Sequence, residues 1–137
     1  MKPELDQQLV KDFPILYQQR YNYMSTTAMR WGFSCDDGWE PLIRRLSEKL
    51  ETWNNKHLNS PTVATQVKEK FGTLRFYVSH QGEISKEDYR YLTNLINDAE
   101  NESGVTCEKC GKPGKLRETG WLLTLCDECF EEWKERR

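Results

Sequence analysis

Apolar positions along the chain fall into a few periodic runs separated by turn signals. Leu5, Leu9 and Phe13 recur every four residues with Val10 beside them. That spacing predicts a short amphipathic helix ending near Pro14, whose ring forbids continuation. The strongest run comes later: Trp39, Leu42, Ile43, Leu46, Leu50 and Trp53 form one stripe at helical spacing, predicting a helix over 39–56. Asp36 or Asp37 can cap its start, and Pro41 sits in the first turn, where a missing N–H is harmless. Between the two, residues 18–36 lose periodicity but carry Tyr21, Tyr23, Met24, Met29, Trp31 and Phe33. These side chains either fold over the core or present a partner-binding surface.

Residues 62–71 and 74–79 switch to alternation and read as two strands around Gly72-Thr73. Gly-X between alternating runs predicts a two-residue type II′ hairpin, because glycine supplies the positive φ. In that register Phe71 opposes Leu74, Lys70 opposes Arg75, Glu69 opposes Phe76 and Lys68 opposes Tyr77. One face then holds Val67, Phe71, Leu74, Phe76 and Val78, with Glu69 as a polar intruder; the other holds Gln66, Lys68, Lys70, Arg75, Tyr77 and Ser79. A one-residue slip would exchange the faces. Ser85-Lys86-Glu87-Asp88 is a capping box opening a helix over 85–101, with Tyr89, Leu92, Leu95, Ile96 and Ala99 as its apolar stripe. Amphipathic helices and a small hairpin with one apolar face can bury each other, which predicts an α+β core over residues 1–103.

Residues 104–137 carry a different signal. Cys107 and Cys110, and Cys126 and Cys129, are two CxxC pairs separated by fifteen residues. A two-residue spacer lets both thiolates of a pair turn toward one tetrahedral Zn²⁺ about 2.3 Å away. Gly111, Pro113 and Gly114 suit a knuckle turn, residues 120–125 a strand, and residues 127–136 a helix. The expectation is a treble-clef or ribbon-like four-cysteine zinc finger holding one structural Zn²⁺ per chain. A catalytic zinc keeps an open position and favours histidine or carboxylate, whereas four cysteines close the shell. A segment this short has no core of its own, so the metal would hold its shape.

Composition narrows the classes. The chain has 137 residues, 36 % hydrophobic and 31 % charged, with a formal net charge of -2. No apolar run reaches the roughly 18 residues of a membrane span, so no membrane partner is expected. The first twenty residues lack an apolar signal-peptide core, and five cysteines make an odd count, which together point to a reducing, cytoplasmic setting. Cys35 reads as a small buried residue rather than a fifth ligand. Slight acidity disfavours a duplex-gripping protein, although Lys109, Lys112, Lys115 and Arg117 give the finger a local basic stripe. Catalytic groups are not found: His57 and His80 have no Asp or Ser at a recognisable spacing, and no glycine-rich phosphate loop exists. The chain is therefore read as non-enzymatic. Lys68, Lys70, Arg75 and Tyr77 converge on one hairpin face, which could hold a nucleotide or another anionic small ligand, or could simply be a solvated sheet face with lysines blunting an edge.

Asp37-Gly38-Trp39, the run 66–72 (QVKEKFG), Leu74-Arg75-Phe76-Tyr77, the knuckle and Gly120-Trp121 leading to the last CxxC form a combination. It resembles a family of small uncharacterised proteins of bacterial genomes and of phages or prophages, over roughly residues 35–130. The resemblance carries over no catalytic residue. It implies Cys107, Cys110, Cys126 and Cys129 as zinc ligands and the Lys68–Tyr77 hairpin as part of the family's identity. It further implies a phage-type accessory protein, of the counter-defence kind, that binds and inhibits a host protein in the host cytoplasm. Ligand sequestration on the hairpin face and nucleic-acid regulation by the finger are the alternatives.

Overall fold

A computed structural model of the protein describes residues 1–22 and 27–136, so Tyr23 and Met24 of the aromatic segment lie outside the described residues. In chain order the elements are α1 (Pro3–Asp12), β1 (Phe33–Ser34), α2 (Glu40–Asn55), β2 (Thr62–Lys70), β3 (Thr73–His80), α3 (Lys86–Ser103), β4 (Lys115–Glu118), β5 (Leu122–Leu125) and α4 (Asp127–Glu135). Single 3₁₀ turns at Ala28–Trp31 and Asp37–Trp39 join them. The fold is α+β. A three-stranded sheet runs β1-β2-β3, with β1 parallel and β3 antiparallel to β2, and β4 pairs antiparallel with β5.

The apolar stripes meet where their spacing predicts. Leu42, Ile43, Leu46, Leu50 and Trp53 of α2 pack with Leu92, Ile96 and Ala99 of α3, Leu9 of α1, and Val67, Leu74 and Phe76 of the sheet. Tyr17 is the centre of this core. Its ring meets Phe33 and Phe76 edge-on at 5.0 and 6.4 Å, and its hydroxyl bonds Ser47 Oγ at 2.6 Å. Burial drives that phenol upward from its ordinary range, so it stays protonated. Buried Glu51 on α2 accepts from Ile15 N (2.8 Å), Leu16 N (2.9 Å) and Asn54 Nδ2 (3.1 Å). The carboxylate thereby satisfies the irregular backbone that leads into Tyr17.

The outer edge of β3 is closed by α3. Leu74 N donates to Ser103 Oγ at 2.8 Å and Phe76 N to Glu100 Oε2 at 2.9 Å. An edge that would otherwise expose free N–H groups is thus covered by side chains of a helix. Ser85 caps α3 as its capping box predicts, accepting from Asp88 N at 3.0 Å.

Two local expectations are corrected. Neither Asp36 nor Asp37 caps α2 through its side chain; Asp37 Oδ1 instead accepts from Lys2 N at 2.8 Å, tying α1 to the start of α2. The hairpin turn is Phe71-Gly72 rather than Gly72-Thr73, so Lys70 pairs with Thr73, Lys68 with Arg75 and Gln66 with Tyr77. Both turn residues have positive φ, 54° at Phe71 and 85° at Gly72, the requirement of a type I′ turn. Relative to the expected register the pairing moves by two positions, not one. The two faces therefore keep their members, except that Phe71 leaves the apolar face and is 64 % exposed at the tip. Glu69, the polar intruder, accepts from Gly72 N at 2.8 Å and so fixes the turn. A bulge between Ala64 and Gln66, which alternation alone does not signal, interrupts β2 where Ala64 N turns to Leu16 O at 2.8 Å.

Candidate metal centre and its surroundings

A knuckle over residues 107–111 places the first two sulfurs. Gly111 N donates to Cys107 O at 2.9 Å with Gly111 at φ 84°, a conformation that glycine adopts without strain. The second pair comes from a helix start. Cys126 is the N-cap of α4, and its Sγ accepts from Cys129 N at 3.4 Å. A thiolate at a helix N-terminus is favoured by the exposed N–H groups and the dipole. The arrangement of knuckle, β4–β5 hairpin and helix is that of a treble clef.

The four sulfurs lie within 4.8 Å of one another, with Cys110 Sγ and Cys126 Sγ 3.7 Å apart. Tetrahedral bonds of about 2.3 Å to a central ion give sulfur–sulfur separations of roughly 3.8 Å. The group therefore has the donor set and the spacing to hold one metal ion, and Zn²⁺ fits four soft thiolates. Without a cation the sulfurs burden one another: burial and neighbouring thiols push Cys129 and Cys110 upward. At Cys107 burial also opposes the charge, but backbone N–H groups of Cys126, Cys110 and Lys109 outweigh it and bring the thiol down to about 7. A divalent cation removes the repulsion and favours all four thiolates. Leu125 is buried beside the cluster, with Leu123, Phe130 and Trp133 packed against it.

No family model, curated protein or solved structure matches this chain. Of the resemblance described above, the structure supports the cluster of four cysteines. Among the described residues no helix is long and apolar enough to cross a membrane.

The finger is fastened to the α+β core by a strip of contacts that spacing alone does not disclose. Gly38 N donates to Glu108 O at 2.7 Å, Asp36 N to Glu108 Oε2 at 2.9 Å, and Trp39 Nε1 to Thr106 O at 2.9 Å. Glu108 is the spacer residue next to Cys107, and its burial pushes the carboxyl up to about 7. On the far side Thr124 Oγ1 donates to Gly72 O at 2.6 Å, joining β5 to the tip of the β2–β3 hairpin. Sequence signals for these contacts exist only as the Asp37-Gly38-Trp39 triplet and the Gly72 tip.

The remaining sequence-selected residues separate. Lys68 and Arg75 are cross-strand partners, Tyr77 pairs with Gln66 two rows away, and Lys70 sits at the tip opposite Thr73. Of the finger's basic stripe, Arg117 turns inward: its guanidinium donates to Leu125 O and Asp127 Oδ1 and lies over the Phe130 ring. Lys112 faces Glu128 at 3.7 Å. His57 stacks on Trp53 with centroids 4.0 Å apart, and His80 Nδ1 bonds Thr62 Oγ1 at 2.7 Å. Cys35 is buried in the core, where burial pushes its thiol up to about 12. In the aromatic segment the two alternatives are divided between residues: Met29 and Phe33 join the core, whereas Trp31 is 72 % exposed.

The joint between finger and core also creates a cleft. Glu69, Lys70 and Phe71 from one hairpin and Gly120, Trp121, Leu122 and Leu123 from the other line a volume of about 390 Å³. Phe71 is 64 % and Trp121 70 % exposed across it.

Proposed function

We propose that the chain is a non-enzymatic binding protein whose finger holds one structural Zn²⁺, and that it engages a protein partner through the two hairpin tips. The observation that carries this reading is Phe71. It is the one non-glycine residue with positive φ among the described residues, a conformation costing roughly 1–2 kcal/mol. That conformation moves a large ring out of the apolar face to the wall of the cleft that it shares with Trp121. Two exposed rings on hairpins joined by the Thr124–Gly72 bond, rimmed by Glu69 and Lys70, have the make-up of an interface hot spot: aromatic anchors with a charged rim. Closure of the metal shell by four thiolates supports a structural rather than a catalytic ion. The phage-type resemblance makes a host protein the expected partner, with inhibition of that protein as the outcome.

Elemental analysis of the purified chain should give one zinc per chain. The tagged, metal-loaded protein and the double variant Phe71→Ser/Trp121→Ser are then compared in capture from a lysate of the native host. A partner retained by the parent and lost by the variant, at equal zinc content and melting temperature, is the expected result. Identical captured sets refute the assignment of the tips.

A further inference from the structure

Two cations on the sheet's polar face stand together with no ion-pair partner among the described residues. Lys68 of β2 and Arg75 of β3 are direct cross-strand partners, and Ser34 of β1 pairs with Lys68 on its other side. Directly opposed side chains have Cβ atoms about 5 Å apart, a spacing at which like charges destabilise a sheet. Arg75 is one of four half-buried arginines among the described residues. Arg20 binds Asp6, Arg44 binds Asp12 and Glu40, and Arg117 binds Asp127. Arg75 has no such partner: its Nε is shut off from water and makes no hydrogen bond. A buried guanidinium N–H without an acceptor is rare in folded proteins and asks for an explanation.

An oxyanion answers the unbalanced charge. A phosphate accepts from the terminal nitrogens of a guanidinium, since an Nε closed to water is closed to the larger anion too, and its charge offsets the repulsion between the two cations. The neighbours suit such a guest. Ser34 lies in the Lys68 row, whereas Lys70 turns its ammonium over the Phe71 ring and belongs to the cleft. Tyr77 lies two residues from Arg75 and is 44 % exposed, so its ring is open to stacking.

We propose that Lys68 and Arg75, flanked by Ser34, bind the phosphate group of a small molecule, with Tyr77 as the platform for a base when a nucleotide carries that phosphate. This site is separate from the Phe71–Trp121 cleft, and its fate does not depend on the protein-partner reading.

The test uses the metal-loaded full chain with inorganic phosphate and with adenosine monophosphate as probes, by calorimetric titration at low ionic strength. Arg75→Gln and Lys68→Gln should each weaken phosphate binding at least tenfold, while Phe71→Ser/Trp121→Ser should leave it unchanged. Without phosphate, both single variants should melt at or above the parent temperature, since each removes a repelling charge; a merely structural Arg75 would instead lower it. Tighter binding of the nucleotide, lost in Tyr77→Ala, assigns the site to nucleotides; equal affinity of the two probes assigns it to free phosphate. Failure of the parent to bind either probe, equal binding by parent and charge variants, or equal binding of chloride overturns the proposal.

Discussion

Replacing Gly38 by alanine is a one-methyl test of how finger and core are joined. A Cβ at this position would lie 2.3 Å from Cys107 O, 2.5 Å from Glu108 O and 2.6 Å from Glu108 C, all backbone atoms of the knuckle. Ordinary carbon–oxygen contacts are no closer than about 3.3 Å, so the knuckle must retreat by roughly 1 Å. That retreat breaks the 2.7 Å bond from Gly38 N to Glu108 O and stretches its neighbours at Asp36 N and Trp39 Nε1. Overpacking costs about 1–3 kcal/mol, and a buried N–H left unpaired a further 1–3 kcal/mol or so, giving about 2–6 kcal/mol in all. For a chain of this size the melting temperature should fall on the order of 10 °C or more. The assay is thermal unfolding of the metal-loaded chain, alongside competition with a chelator. Gly120→Ala is the control, because Gly120 has φ +94° but nothing within 4 Å of its would-be Cβ. That substitution strains only the backbone, by about 1 kcal/mol. If Gly38→Ala melts with the parent, or Gly120→Ala falls further, the docking argument is wrong.

Other perturbations test other parts of the molecule. Chelation, or Cys129→Ser, should unfold residues 104–137 and expose the amides of β5 to exchange; an unchanged melting curve would exclude a structural metal. Glu51→Ala strands Ile15 N, Leu16 N and Asn54 Nδ2 and should destabilise by about 3–5 kcal/mol in urea unfolding, with Glu51→Gln milder because one acceptor survives. A loss under about 1 kcal/mol would show that this backbone finds other acceptors. Burial of His80 lowers its pKa below the ordinary 6.5, so the unfolded chain takes up that proton first. Stability should be unaffected by this group above pH 6.5 and fall as pH drops from there toward the lowered native value. His80→Gln should flatten that limb, and parallel curves for parent and variant would discount the shift.

The β2–β3 hairpin shows where reading from sequence stops. Alternation fixes which side chains share a face, and that survives because a two-position shift preserves parity. The turn does not follow from alternation, since both Gly72-Thr73 and Phe71-Gly72 are compatible with it. Contacts from outside the hairpin bear on the choice: Thr124 Oγ1 bonds Gly72 O, and Leu116 Cδ1 would lie only 2.7 Å from a Cβ at Gly72. The φ of 85° requires glycine at that point, while the tip of the exposed Leu116 side chain could turn aside; the bond from Thr124 holds the turn in one conformation. The exposed Phe71 and the Lys68–Arg75 pairing both follow from that choice.

What the chain determines locally is each periodic stripe, the capping box at Ser85, the alternation of the hairpin and the two CxxC pairs, because helical spacing, strand parity and metal-ligand spacing act over a few residues. Tertiary structure alone decides what fills the positions that local rules leave open. Asp37 bonds α1 rather than capping α2, Glu108 binds the N–H of Asp36 from inside a metal knuckle, and α3 supplies the acceptors for the edge of β3. Each of these joins groups 24 to 72 residues apart along the chain. Such a partnership is set by which buried polar groups must find each other once the apolar faces have closed, and no short-range pattern encodes it.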